Sequence, residues 1–210
     1  MLTTLEGCMG SGKTLTATAL AYSEHMQNGK RVIANYKLNF PFTFFEPIYF
    51  LKHIADEELT HCVHIIDEVG LLADSRLSGS KLNRLFTYYF AQTRKRNVDL
   101  YICTQHIDLI DKRLRRAADI RGTCSYLGEN PCRKCGGSGR SRNEVCDRCL
   151  GYGVTGWATT RFVDFRRQAY WVSRRTKKIR VFGPAFWGLY DTEERIPILQ
   201  KALKIPVEDL

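Results

Sequence analysis

Long hydrophobic runs are missing from this sequence. No stretch of about 18 consecutive apolar residues occurs in its 210 positions, so no membrane-spanning helix is expected. The first residues, MLTTLE, lack a basic segment followed by an apolar core, so no signal peptide is read there either. Acidic residues are scarce relative to basic ones: 22 Asp and Glu face 32 Lys and Arg, for a net charge of +10. That balance excludes an acidic, self-repelling chain and fits a polyanionic partner, nucleic acid being the simplest; general solubility is the blander reading. A disulfide framework is absent as well. Of eight cysteines, Cys132, Cys135, Cys146 and Cys149 form two C-x-x-C pairs, while Cys8, Cys62, Cys103 and Cys124 stand alone in a loop or on apolar runs. This is the pattern of a reducing compartment with one metal site. What is present, 44% hydrophobic and 26% charged residues, is ordinary for a globular protein able to bury one core and carry a small appendage.

Residues 7–14 read GCMGSGKT and fit G-x-x-x-x-G-K-[ST], the loop that cradles nucleotide phosphates. Gly7, Gly10 and Gly12 allow successive N–H groups to turn inward on an anion, with Cys8, Met9 and Ser11 completing the loop. Lys13 is expected to reach the β and γ phosphates of ATP, and Thr14 to ligate Mg²⁺. The context agrees: Leu2–Glu6 reads as a strand, and 13–28 as a helix that Gly29 stops in the left-handed conformation.

CVHIID (62–67) is an apolar run ending in acid, as expected of a strand buried on both faces of a parallel sheet. It places Asp67 at a carboxyl strand end, where ligands collect in open α/β sheets. Asp67 is expected to hold Mg²⁺ through water and Glu68 to orient or deprotonate the attacking water; the bland alternative is a carboxylate pair capping a strand. A further strand over VDLYICTQ (98–105) ends in Gln105, positioned to sense the γ-phosphate, or else a simple hydrogen-bonding strand end. Helices are expected over 80–96 and 109–118, RVIAN (31–35) is a short strand, and 40–50 reads as a packed aromatic loop. Arg94 and Arg96, with Arg113, Arg115 and Arg116, are candidates for an arginine that stabilises transition-state charge on a neighbouring subunit's nucleotide; Arg94 is the first choice. The alternation of strands and helices predicts an α/β, doubly wound, mainly parallel sheet with right-handed crossovers, which together with the phosphate loop is read as a RecA-like P-loop NTPase domain.

Beyond 122 the character changes. TCSYLG, GWATTRFVDF and QAYWVS alternate as strands, with a hairpin closing near 166–168. Between them, CRKCGGSG (132–139) and CDRCLGYG (146–153) are two copies of C-x-x-C-x-G-x-G, whose four thiolates suit tetrahedral Zn²⁺. The module is expected to be an insertion at a hairpin tip, giving three regions: an ATPase core (1–125), the zinc insertion (126–156) and a β region with the C-terminal segment (157–210). The zinc would staple a segment too short to fold unaided, and its Arg133, Lys134, Arg140, Arg142 and Arg148 also fit contact with DNA or a docking protein. Arg161, Arg166, Arg167, Arg174, Arg175, Lys177, Lys178 and Arg180, interleaved with aromatics, fit phosphate contact or a solvated outer face.

VIAN after the first helix, IIDE, the arginine-rich segment before a strand ending TQ, IDKRLRRAAD and GLYDT occur in this order. Together they resemble the Zonula occludens toxin domain of filamentous-phage assembly ATPases, within the FtsK–HerA superfamily that also holds packaging ATPases of tailless icosahedral viruses with internal membranes. The resemblance covers about 1–125 well and 160–192 more loosely. It implies a ring, expected to be a hexamer, that moves DNA (duplex favoured) using ATP, and gives Lys13, Thr14, Asp67, Glu68 and Gln105 the roles assigned above. It also implies a virus-assembly setting in the host cytoplasm, with a capsid or membrane-vertex protein as partner. Genome packaging is the preferred reading; phage extrusion and a nucleotide-switched scaffold are the alternatives. Two departures stand out: HIIDEVG lacks the polar residue that often follows the acid pair, and the 210 residues hold no counterpart of the membrane-spanning segment that phage assembly proteins carry after this domain, as expected of either a packaging motor or a truncated cytoplasmic domain. The cysteine repeat is similar to that of DnaJ chaperones, where four copies make two zinc sites, so two copies imply one.

Overall fold

A computed structural model describes residues 1–45, 59–71, 81–166 and 175–191. Ten strands and three helices occur among them: β1 (Leu2–Glu6), α1 (Lys13–Asn28), β2 (Arg31–Ala34), β3 (Thr43–Phe44), β4 (Cys62–Ile66), α2 (Lys81–Gln92), β5 (Asp99–Thr104), α3 (Lys112–Ala117), β6 (Ile120–Pro131), β7 (Arg140–Ser141), β8 (Glu144–Val145), β9 (Val154–Asp164) and β10 (Thr176–Phe182). Eight strands form one sheet in the order β10-β9-β6-β1-β5-β4-β2-β3; β7 and β8 pair separately. From β6 through β3 every pairing is parallel, whereas β9 and β10 add antiparallel strands on the β6 side. The chain is thus α/β with a mostly parallel central sheet.

Period-two strands and 3.6-period helices explain the two cores. One face of β1, β4 and β5 buries Leu2, Ile66, Leu100 and Ile102 against Phe86, Tyr89 and Phe90 of α2 and Leu114 of α3. The opposite face buries Leu5, Val63, Ile65 and Cys103 against Leu15, Ala17, Ala19 and Ala21 of α1. Small residues dominate that side of α1, so the helix can lie close to the sheet. β4 is buried along its whole length and β5 from Leu100 to Thr104 because both their faces are covered.

The sequence places β1, α1 and the left-handed stop at Gly29 (φ 64°) correctly. Other boundaries shift for local reasons. α2 ends at Gln92, because Thr93 turns its hydroxyl onto the Phe90 carbonyl (3.0 Å) and Asn97 adopts φ 51° before β5. α3 begins only at Lys112, where Asp111 accepts from the Arg113 amide (2.8 Å), a side-chain cap; residues 107–109 before it form a single tight turn. β6 is longer than expected, 12 residues, because Cys124–Leu127 continue into the arm of a hairpin with β9. The described strand that returns along β9 is β10, whose Thr176 pairs with Val163; the closure expected at 166–168 lies largely outside the described residues. QAYWVS lies outside the described residues, as do 46–50 of the aromatic loop. No helix among the described residues is long and apolar enough to cross a membrane.

Candidate nucleotide site and metal centre

β1, β5 and β4 are neighbours, so their carboxyl ends bring residues 7–14, Gln105 and Asp67–Glu68 to one edge of the sheet. The loop leaving β1 turns back through the Ser11 amide, which donates to the Cys8 carbonyl (3.1 Å), and enters α1 when the Thr16 amide meets the Gly12 carbonyl (2.9 Å). Cys8, Met9 and Gly10 are exposed at its tip, Met9 to 81%. Gly12 has φ 83°, and a Cβ there would lie 2.8 Å from the Ala158 methyl of β9. Only glycine lets the loop rest on the sheet at that point.

Lys13 is 6% exposed; its ammonium donates to the carbonyls of Gly7 (2.9 Å) and Cys8 (3.0 Å), which hold the charge beside the loop. The Thr14 hydroxyl donates to Asp67 Oδ2 at 2.7 Å, tying the start of α1 to the end of β4. Asp67 Oδ1 accepts from the Glu68 amide at 3.0 Å. Burial pushes the Asp67 carboxyl above its ordinary range, against the opposing pull of the Thr14 hydroxyl, the Glu68 amide and the Lys13 charge. A hydroxyl and a carboxylate oxygen this close are hard oxygen donors of the kind Mg²⁺ takes. Glu68, half-buried at φ 49°, turns away from the strand, and Gln105 donates to its Oε1 at 3.5 Å. Water placed between these two groups could be oriented or deprotonated.

Sequence reasoning missed Asn35. Its side chain brackets the Asp67 backbone, donating to the Asp67 carbonyl (2.9 Å) and accepting from its amide (2.8 Å). The residue is nearly fully buried, and its signal was a lone amide at the end of an apolar strand. It fixes the acid's position without competing for its oxygens.

The arginines do not join this cluster. Arg94 is exposed in the turn that precedes β5, at the sheet edge opposite the phosphate loop; Arg96 shares that turn and donates to Gln92 (3.3 Å). Arg113 lies 3.8 Å from Asp111, Arg115 is paired with Asp108, and Arg116 is exposed.

At the far end of the β6–β9 hairpin, Cys132, Cys135, Cys146 and Cys149 place all four sulfurs within 4.8 Å of one another. The Cys132–Cys146 and Cys135–Cys149 separations are 3.8 and 3.7 Å. A disulfide needs about 2.05 Å. A tetrahedron of ~2.3 Å zinc–sulfur bonds has edges of about 3.8 Å, so the residues fit zinc. The Cys135 thiol is lowered to about 6: burial opposes ionisation, and the Gly137 and Gly139 amides aimed at its sulfur outweigh it. The glycines serve packing too, since a Cβ on Gly139 would come 2.3 Å from the Gly151 carbonyl, and one on Gly153 equally close to that of Gly137. Zinc bound here would cross-link the two C-x-x-C turns.

With this geometry in hand, the family model for zonular occludens toxin (Zot) matches residues 48–129. The likeness is to Zot and to viral packaging ATPases. The crystal structure of the N-terminal domain of zonular occludens toxin from Neisseria meningitidis has a TM-score of 0.57 at 18% identity, covering 90% of this chain and 97% of that one. The genome-packaging NTPase of Sulfolobus turreted icosahedral virus 2, in complex with sulfate, gives 0.51 at 12%, covering 84% of this chain and 94% of that one. The DNA-packaging ATPase of Sulfolobus turreted icosahedral virus gives 0.51 at 14%, with 84% and 95% covered. No curated protein matches the chain. At these identities the likeness establishes a shared fold, and the Zot-like sheet is that of P-loop NTPases.

Proposed function

We propose that this Zot-like chain is an ATP-hydrolysing motor that moves DNA during virus assembly, with packaging of the genome into a preformed shell as its task. The observation that carries the reading is the 2.7 Å contact between Thr14 and Asp67, which assembles a magnesium-binding pair beside a glycine-rich loop and a buried lysine. In this reading the loop amides of residues 7–14 and Lys13 take the phosphates, and Thr14 and Asp67 hold Mg²⁺. Glu68 activates water, and Gln105 reports the γ-phosphate to Glu68. Mg²⁺ supplies charge neutralisation across the phosphates when bound. The Cys132–Cys149 module binds zinc as a staple, and the net charge of +10 supplies the attraction for DNA. A viral DNA-packaging ATPase of similar fold supports the virus-assembly setting.

Steady-state hydrolysis, measured without DNA and with single-stranded or duplex DNA over a salt series, tests this. A motor gives a rate that rises several-fold with DNA and loses the gain as salt increases. Hydrolysis indifferent to DNA assigns the chain to a nucleotide-switched scaffold instead. Glu68→Gln should lower turnover by about 10²- to 10⁴-fold, the usual contribution of a general base, while nucleotide still binds. Unchanged turnover would remove Glu68 from the role.

A further inference from the structure

Strand register divides the basic residues of the β region between two faces. Gly122, Cys124 and Tyr126 of β6, Ala158, Thr160 and Phe162 of β9, and Lys177, Ile179 and Val181 of β10 are mutual partners. Most of these pack with the α1 side of the core. The alternate positions, Thr123 and Ser125, Thr159 and Arg161, Lys178 and Arg180, therefore share the other face. Among the described residues no helix covers it: α2 and α3 pack over β1, β4 and β5, and Thr123, Ser125, Arg161, Lys178 and Arg180 are all exposed.

Its charge is lopsided. Lys178 stands directly opposite Arg161, a like-charge cross-strand pair that destabilises a sheet. Among the described residues no carboxylate bonds Arg161, Lys178 or Arg180. Glu6 accepts from Thr123 (3.3 Å) and Asp164 is held by Arg166 (2.6 Å), both at the margins. Toward the metal module the face ends in aromatics: Trp157 pairs with Phe182 (5.0 Å between rings), Tyr152 meets Phe182 edge-on, and the Arg180 guanidinium lies 5.0 Å over Trp157.

We propose that this uncovered sheet face is a nucleic-acid track, in which Arg161, Lys178 and Arg180 take consecutive phosphates of DNA lying across β6, β9 and β10. The inference rests on the DNA-motor reading and names the surface that motor uses. A polyanion is the occupant that relieves the Arg161–Lys178 opposition, and the exposed guanidinium groups of Arg161 and Arg180 offer several donors each to phosphate oxygens. A second copy of a chain carrying +10 offers no comparable complement. Lys177, on the same strand, faces the other way and is not part of the track.

The test is fluorescence anisotropy of labelled duplex and single-stranded DNA, over a salt series, with wild-type protein, an Arg161→Thr/Lys178→Thr double variant, and Lys177→Thr. Threonine keeps strand preference while removing charge. The double variant should bind more weakly, with a log–log salt slope shallower by about 0.9 per lost duplex contact, and its thermal midpoint should not fall. Lys177→Thr should keep the wild-type slope. Comparing the duplex and single-strand arms identifies which form the face takes. If wild type binds DNA and the double variant binds equally well with the same slope, the face is overturned and the motor reading stands. If wild type binds neither form, both readings fall. A double variant that changes oligomeric state by light scattering while keeping its DNA slope makes the face a subunit contact and also overturns the track.

Discussion

At the scale of single residues, the nucleotide site depends on close approaches that leave no slack. Gly12 sits where a methyl group would press on Ala158 and where φ is 83°. Gly12→Ala therefore combines left-handed strain, roughly 1–2 kcal/mol, with a steric shift of the loop or β9. The expected outcome is a lower thermal midpoint together with loss of nucleotide binding by calorimetry; a variant that binds normally would show that the loop tolerates displacement from β9. That Lys13, Thr14 and Asp67 would come together was legible in the sequence, because their spacing to glycine and to an apolar run places them locally at strand ends. Asn35 was not, because its task is to hold a backbone segment 32 positions away, and nothing local records that partner.

Among elements, α1 and the parallel strands were readable because a stop glycine and doubly buried strands leave strong local patterns. β10 was not legible as a separate strand because 174–180 reads as part of a basic run. It is pairing with β9, and not an inward apolar pattern along its whole length, that makes 176–182 a strand. The two sequence copies in the metal module appear in the structure as an internal pseudo-symmetry of hydrogen bonds. The Cys132 amide donates to the Gly153 carbonyl (2.8 Å) as the Cys146 amide does to that of Gly139 (2.9 Å). A module held this way has little besides metal to keep it closed, its own buried cluster being the cysteines. Stripping zinc with a strong chelator should expose the chain between 132 and 153 to proteolysis while far-UV circular dichroism of the α/β core persists. Protein purified without chelators that contains no zinc by elemental analysis would sink the assignment.

For the whole molecule, the parallel sheet sets the phosphate loop at the carboxyl edge and Arg94 at the opposite one. Under the motor reading, Arg94 acts only on a neighbour. Mixing Arg94→Ala subunits with Lys13→Ala subunits should restore part of the hydrolysis that each lacks alone, because one kind of junction then pairs an intact loop with an intact arginine. No rescue in the mixture, with assembly confirmed by light scattering, would remove Arg94 from that role. The sequence could offer Arg94 as a candidate but not its edge, since that follows from strand direction and order across the sheet.

The same arrangement gives the molecule a polarity with consequences for how copies can join. A contact that sets one edge of a subunit against the opposite edge of the next is heterologous, so a two-fold related pair cannot complete both of its sites. Under the motor reading, every open chain of subunits would leave one loop unserved and one arginine idle, and closure alone would remove both loose ends. Catalytic competence would in that sense be a property of the circuit, each subunit carrying both halves of a junction that it could never make with itself.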